Sequence, residues 1–258
     1  QYGKYKDPDN NTYKVWMDEK MYVPRWDGQA AYITPTIKNF VNGPTGMLYN
    51  PGTALSAEWN NTFFIGEFVG NPTRSGIHAF KLTPKGATFE LGEYKQVLGG
   101  VLATGIDFGP DGAMYLADWI DGWDTKDYGR IWKLDVAEPD FALRKQTRTL
   151  LMVDLKKYEV NQLSELLKNP DYRVRQKAQF ELATRGDEGM EAFQSAINQT
   201  EHQLARVHAI WGISQFARKD INHAKVLLPL LADKDPEIRA QAAKWIGDVK
   251  FKEAGDVL

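Results

Sequence analysis

The chain has 258 residues, 43% of them hydrophobic, 26% charged and 12% aromatic, a composition that excludes disorder and a length sufficient for two apolar cores. A formal net charge of −2 excludes the broad basic field that a polyphosphate backbone attracts, so nucleic acid is not an expected partner. Zero cysteines exclude disulfides, Cys-ligated zinc, a thiolate nucleophile and a covalent CxxCH haem site within these residues.

The chain opens at Gln1 on a polar, aromatic segment rather than on a basic and apolar leader, and no apolar run approaches the length of about 18 residues that spans a bilayer. No transmembrane segment is therefore expected in this chain. The absence of Met at position 1 suggests a piece of a longer protein, with room upstream for a signal or an anchor.

From about residue 43 to Asp135, short β-rich runs such as Phe63-Phe64-Ile65-Gly66 and Ile77-His78-Ala79-Phe80-Lys81-Leu82 alternate with turns such as Thr83-Pro84-Lys85-Gly86. This pattern predicts antiparallel hairpins. The region also repeats. Thr45-Gly46-Met47-Leu48-Tyr49 matches Thr104-Gly105-Ile106-Asp107-Phe108, Ile65-Gly66-Glu67-Phe68-Val69 matches Leu116-Ala117-Asp118-Trp119-Ile120, and Phe80-Lys81-Leu82 matches Trp132-Lys133-Leu134. Three matched strands in one order define two copies of a sheet unit. Radially repeated sheets are the way β-propellers protect their edges, and about two copies amount to a partial ring.

Ala137-Glu138-Pro139-Asp140 reads as a boundary turn within residues 136–152, and Leu143 to Val153 is open to one more strand. Beyond it apolar residues take helical spacing, as in Leu163, Leu166, Leu167 and Ala178, Leu182, Ala183. Arg175, Arg206 and Arg239 set a register. Each is followed three residues later by Ala178, Ala209 or Ala242 and seven later by Leu182, Ile213 or Ile246, and each is preceded by Val174, Ala205 or Ile238. These positions share one helical face, and the alanines admit a close neighbour. Asn169-Pro170-Asp171 and Asp233-Lys234-Asp235-Pro236-Glu237 mark helix starts. The expected architecture is multidomain, β then α: residues 1–150 as the C-terminal part of a β-propeller and residues 151–258 as an α-solenoid.

The pattern D-x-x-x-[V/I]-R-x-x-A-x-x-x-[L/I] over Asp171 to Leu182, and over Asp235 to Ile246 with its Asp shifted by one, resembles HEAT repeats. Residues 40–135 resemble the C-terminal blades of the glucose/sorbosone dehydrogenase family, which are quinoprotein propellers. The match runs through Gly43-Pro44-Thr45-Gly46-Met47, Trp59-Asn60-Asn61-Thr62-Phe63-Phe64-Ile65-Gly66 and Gly109-Pro110-Asp111-Gly112-Ala113-Met114-Tyr115. The order of the two halves, with Ala117-Asp118-Trp119-Ile120-Asp121-Gly122-Trp123, is similar to large exported bacterial proteins of a membrane-bound dehydrogenase type, many of which end in a cytochrome c domain. That resemblance implies a periplasmic or cell-surface location, a sugar or polyol substrate, PQQ and Ca²⁺ in the intact protein, and haem c only in a domain beyond Leu258.

In such propellers the cofactor face is fed by the residues after the second strand of each blade. The resemblance places Glu67 with Phe68 to Ser75 there, and Asp118 with Trp119 to Tyr128. Glu67 and Asp118 are then the candidate metal ligands or sugar-hydroxyl acceptors, Trp119 and Trp123 the stacking platforms, and Arg74 and Lys126 the cations near an anionic quinone. The plain alternative is that the two acids cap strand ends and the tryptophans pack between blades. The family's cofactor arginine pair is replaced by Leu102 and Thr104, and its histidine base belongs to an earlier blade, so no catalytic residue is assigned. His78, His202, His208 and His223 show no metal-ligand spacing and are expected to be structural, and Arg175, Arg206 and Arg239 are expected to contact neighbouring turns. Two functions are open: a fragment of a sugar or polyol dehydrogenase that passes electrons to a cytochrome, or a non-catalytic scaffold whose propeller and HEAT surfaces bind partner proteins.

Overall fold

The computed structural model describes residues 40–255 apart from 86, 87 and 126, together with 26, 37 and 38. Strands β1 (Pro44–Tyr49), β2 (Phe63–Glu67), β3 (Gly76–Lys85) and β4 (Thr88–Gly99) form one antiparallel sheet in sequence order, and β5 (Ala103–Phe108), β6 (Met114–Asp118) and β7 (Arg130–Leu134) form a second. Six α-helices follow among the described residues: α1 (Phe141–Met152), α2 (Val160–Leu166), α3 (Tyr172–Leu182), α4 (Gly186–Ile197), α5 (Gln203–Ala217) and α6 (Pro236–Asp248), with a 3₁₀ stretch over Ile221–Ala232 between the last two. The chain is β, then α.

The two sheets are built alike. Met47 pairs with Ile65 as Ile106 pairs with Leu116, and in both sheets the first strand carries a bulge, between Pro44 and Met47 and between Ala103 and Gly105. The third strands correct one expected match. Ile65 pairs with His78 and Leu116 with Trp132, so His78, not Phe80, stands where Trp132 stands. A slip of two residues keeps every side chain on its face, which is why the apolar pattern alone accepts the wrong alignment.

Phe64, Ile77 and Ala79 of the first sheet share a buried cluster with Ala103, Phe108, Met114 and Leu116 of the second, and the Phe64 and Phe108 rings meet edge to face at 5.7 Å. Ile65 and Leu116 hold equivalent places, yet Leu116 faces the other sheet whereas Ile65, two residues from Phe63 and in phase with it, faces away from it. One sheet thus offers its far-side face to the near-side face of the next. Met47 and Tyr94, 62% and 57% exposed, lie on the face the first sheet leaves outward, and Ile131, 71% exposed, on that of the second.

Leu143 to Met152 is helix, not strand. Asp140 caps it by accepting from Leu143 N–H, and its buried side chains, Arg144 and Thr147, recur at helical spacing. The change of period thus falls at Asp140, inside the 136–152 window and ahead of the 150/151 division. In the helical half the register residues Val174, Ala178, Leu182, Ala209, Ile213, Ile238, Ala242 and Ile246 are all fully buried, and Ala205 nearly so. Gly212 lets α5 close on α4, since a Cβ there would lie 2.3 Å from the Phe193 ring. The Ile221–Ala232 stretch carries Pro229, which has no N–H to give an α-helical ladder.

A buried polar junction fastens the sheets to the helices. Thr53 Oγ1 donates to Asp171 Oδ2 at 2.6 Å, and Arg173 donates to the Phe108 and Gly109 carbonyls at 3.0 and 3.1 Å while its other nitrogens hold Asp171. Arg144 donates to the Leu55 carbonyl at 2.8 Å and to both oxygens of Asp135. Asp171 is fully buried and Arg144 is 7% exposed. Gly52, at φ +108, completes the contact: a Cβ would lie 2.3 Å from the Pro170 carbonyl oxygen.

Candidate functional site

Glu67 and Asp118 end β2 and β6, opposite Pro44 and Ala103 at the starts of β1 and β5. They are equivalent, and each does the same work. Glu67 Oε1 accepts from the Asn42 N–H at 3.0 Å and from the Asn42 side chain at 3.2 Å, and Oε2 lies 3.0 Å from His78 Nε2. Asp118 Oδ1 accepts from the Leu102 and Ile120 N–H groups at 3.0 and 2.9 Å, and Oδ2 accepts from Trp132 Nε1 at 2.8 Å. Each acid therefore ties the segment entering the first strand to a ring N–H of the third strand, at matched positions in the two ladders. The flanking bonds repeat too: Phe68 N–H donates to the Gly43 carbonyl and Trp119 N–H to that of Leu102.

Burial pushes both carboxyls toward higher pKa, but the hydrogen bonds outweigh it. The Asn42 and His78 contacts leave Glu67 below its ordinary value. The Trp132, Ile120 and Leu102 donors, with the Arg130 charge, do the same for Asp118. Asp118 also holds a strained turn. Ile120 has φ +79, unusual for a β-branched residue, and Asp121 N–H closes onto the Trp119 carbonyl at 3.1 Å around it.

A hard cation needs six to eight oxygen ligands. Here the N–H donors that surround each carboxylate direct their positive hydrogens to where such an ion would sit, and among the described residues no three His, Asp or Glu side chains converge on one point. The anionic quinone fares no better: where the resemblance expects arginines, Leu102 is fully buried and Thr104 gives its hydroxyl to the Ala117 carbonyl. These residues do not fit Ca²⁺ or PQQ.

The tryptophans divide. Trp119 borders a cleft of about 290 Å³ with Thr104, Ala117, Asp118, Tyr128, Arg130 and Ile131, and its buried Nε1 has no hydrogen-bond partner among the described residues. Ala117 and Ile131 pair on the face opposite to Leu116, while Asp118 and its ladder partner Arg130 line the same cleft. Trp123, 69% exposed, instead rests on the Phe68 ring at 5.0 Å and on Gly70, where a Cβ would meet its Nε1 at 2.1 Å. The loops after β2 and β6 thus meet through Trp123. Arg74 is exposed at the end of the short turn Pro72–Arg74, and Lys126 lies outside the described residues.

His78 and Trp132, the partners that define the two acids' role, escape a sequence reading because only the ladder register brings them alongside. The helix arginines meet expectation. Arg175 donates to the Asn169 and Pro170 carbonyls, and Arg239 to those of Asp233 and Lys234, at the same offsets of six and five residues. Arg206 differs, donating to the Ile197 carbonyl at 2.6 Å and pairing with Asp233 of the turn before α6. Comparison with protein-family models, with curated proteins and with solved structures returns no match.

Proposed function

We propose that the chain is a non-catalytic scaffold, two blades of a β-propeller fixed to a HEAT-type α-solenoid, that presents its surfaces to partner proteins within a larger assembly. One observation carries this reading: the acids best placed for a cofactor spend every oxygen on N–H groups of their own sheet and of the segments that flank it. The repeated acid bracket and the far-face-to-near-face packing of the sheets support the propeller, because a contact that presents a different face to each neighbour propagates by rotation until it closes. The common offsets of Arg175 and Arg239 support the solenoid.

The dehydrogenase reading keeps one specific support, the meeting of the loops after β2 and β6 through Trp123. A thermal melt of the full-length protein with Ca²⁺, PQQ and aldoses, run beside a dye-reduction assay, separates the two. The scaffold reading expects an unchanged midpoint and no dye reduction. A Ca²⁺-dependent rise in melting temperature that Asp118→Asn abolishes, since ligand binding to the folded state must raise it, overturns the scaffold reading.

A further inference from the structure

Helices α3, α5 and α6 lie side by side, each in contact with the next. Their shared surface carries a groove of about 190 Å³ with one aromatic side chain from each helix: Phe180, Trp211 and Trp245. Phe180 is 52% exposed, an arrangement that costs free energy if left facing water. Gln176 and Gln215 share the lining, and their amides each offer donors and an acceptor. The only charge in the lining is Arg218, which rests over the Trp245 ring at 5.1 Å and has no carboxylate partner among the described residues. Lys244 also lies over the Trp245 ring, at 4.2 Å, and is already paired with Asp248 at 2.7 Å.

We propose that this groove binds an extended peptide segment of a partner protein, with a bulky apolar side chain seated between the aromatic rings and an acidic residue beside it on Arg218. This inference rests on the scaffold reading and gives its partner a chemistry. A groove of this volume holds a single bulky side chain, not a drug-sized ligand. Aromatic rungs accept an apolar side chain at little cost in lost flexibility, because they are already ordered. Glutamine amides pair with peptide backbone, whose donors and acceptors alternate along an extended segment. An Arg without an acid in a lining that contains no carboxylate supplies the charge complementarity.

Random 12-residue peptides displayed on phage are selected against the whole chain, and the enriched sequences are synthesised and titrated against it. The expected result is enrichment of Asp or Glu within a few residues of Leu, Phe, Tyr or Trp. Arg218→Glu and Phe180→Ala, both at exposed side chains and with unchanged melting temperatures, should each weaken binding about tenfold or more, a loss typical of a central interface anchor. Selection on Arg218→Glu should switch the acidic preference to Lys or Arg. No enrichment, enrichment without an acid, or peptides that bind both variants as tightly as the parent overturns the groove. Peptides that bind elsewhere on the chain do so while leaving the scaffold reading intact; a Ca²⁺- and quinone-dependent melt removes that reading instead.

Discussion

Two side chains show how local chemistry outranks residue type. Asp118 resembles a ligand but acts as a bracket, and its substitutions should grade accordingly. Asp118→Asn keeps an oxygen for Leu102 and Ile120 and turns an amide N–H₂ toward Trp132, so one bond becomes a donor–donor conflict costing about 1 to 2 kcal/mol. Asp118→Ala removes three acceptor contacts and leaves Ile120 strained, so urea unfolding should show a loss of about 3 kcal/mol or more. Equal losses in the two variants would mean that the bracket does not hold the loop. His208 acts in the opposite direction: burial, reinforced by the Arg175 charge, lowers its pKa from 6.5 to about 4, while Nδ1 contacts Gln179 Oε1 at 2.8 Å. The folded state therefore favours the neutral ring and the unfolded state takes up the proton first. The stability from this residue is complete above pH 6.5 and is lost as pH falls from 6.5 to about 4, at about 1.4 kcal/mol per pH unit. His208→Asn, which keeps a donor for Gln179, should flatten that slope in chemical denaturation between pH 7 and 4.5. Retention of the full slope in the variant would exclude His208 as its source.

Elements were legible where period decides them and illegible where a partner does. The alternation around Phe63 and Ile77 and the helical face of Val174, Ala178 and Leu182 carry their own signal, so strands and helices fall where periodicity predicts them. Leu143 to Val153 lacks such a signal, because the residues that settle it, Arg144 and Thr147, are polar side chains buried by contacts with distant segments. The acids could be named from sequence as end-of-strand residues, yet their role depends on His78 and Trp132, which register alone supplies. The junction was likewise invisible, since Thr53 and Asp171 are 118 residues apart. Its weight can be measured. Arg144→Ala strands the Leu55 carbonyl and the Asp135 carboxylate, whose pKa burial would raise and the Arg144 hydrogen bond now holds low, and a loss of about 3 kcal/mol or more is expected. Gly52→Ala should cost more than the usual helix-propensity difference, about 2 kcal/mol, through its φ of +108 and the Pro170 oxygen. Calorimetry would check both, and a wild-type midpoint in Gly52→Ala would show that the loop shifts freely.

On the scale of the whole molecule, sheets and helices joined by a network of buried hydrogen bonds should melt together, in one calorimetric transition, whereas Arg144→Ala should separate it into two. Two transitions in the parent would show that the junction couples nothing. The arginine contacts also bear on how the molecule is assembled. Arg175 and Arg239 close on carbonyls five and six residues back, so each helix can complete its own turn before anything else is in place. The junction bonds join residues 64, 65, 89 and 118 apart, and the closure of such long loops costs entropy that only a nearly complete structure repays. The helical half should therefore form early, with the sheets docking last. Loosening the seam between them then leaves the rate of folding almost untouched and shortens the lifetime of the folded chain.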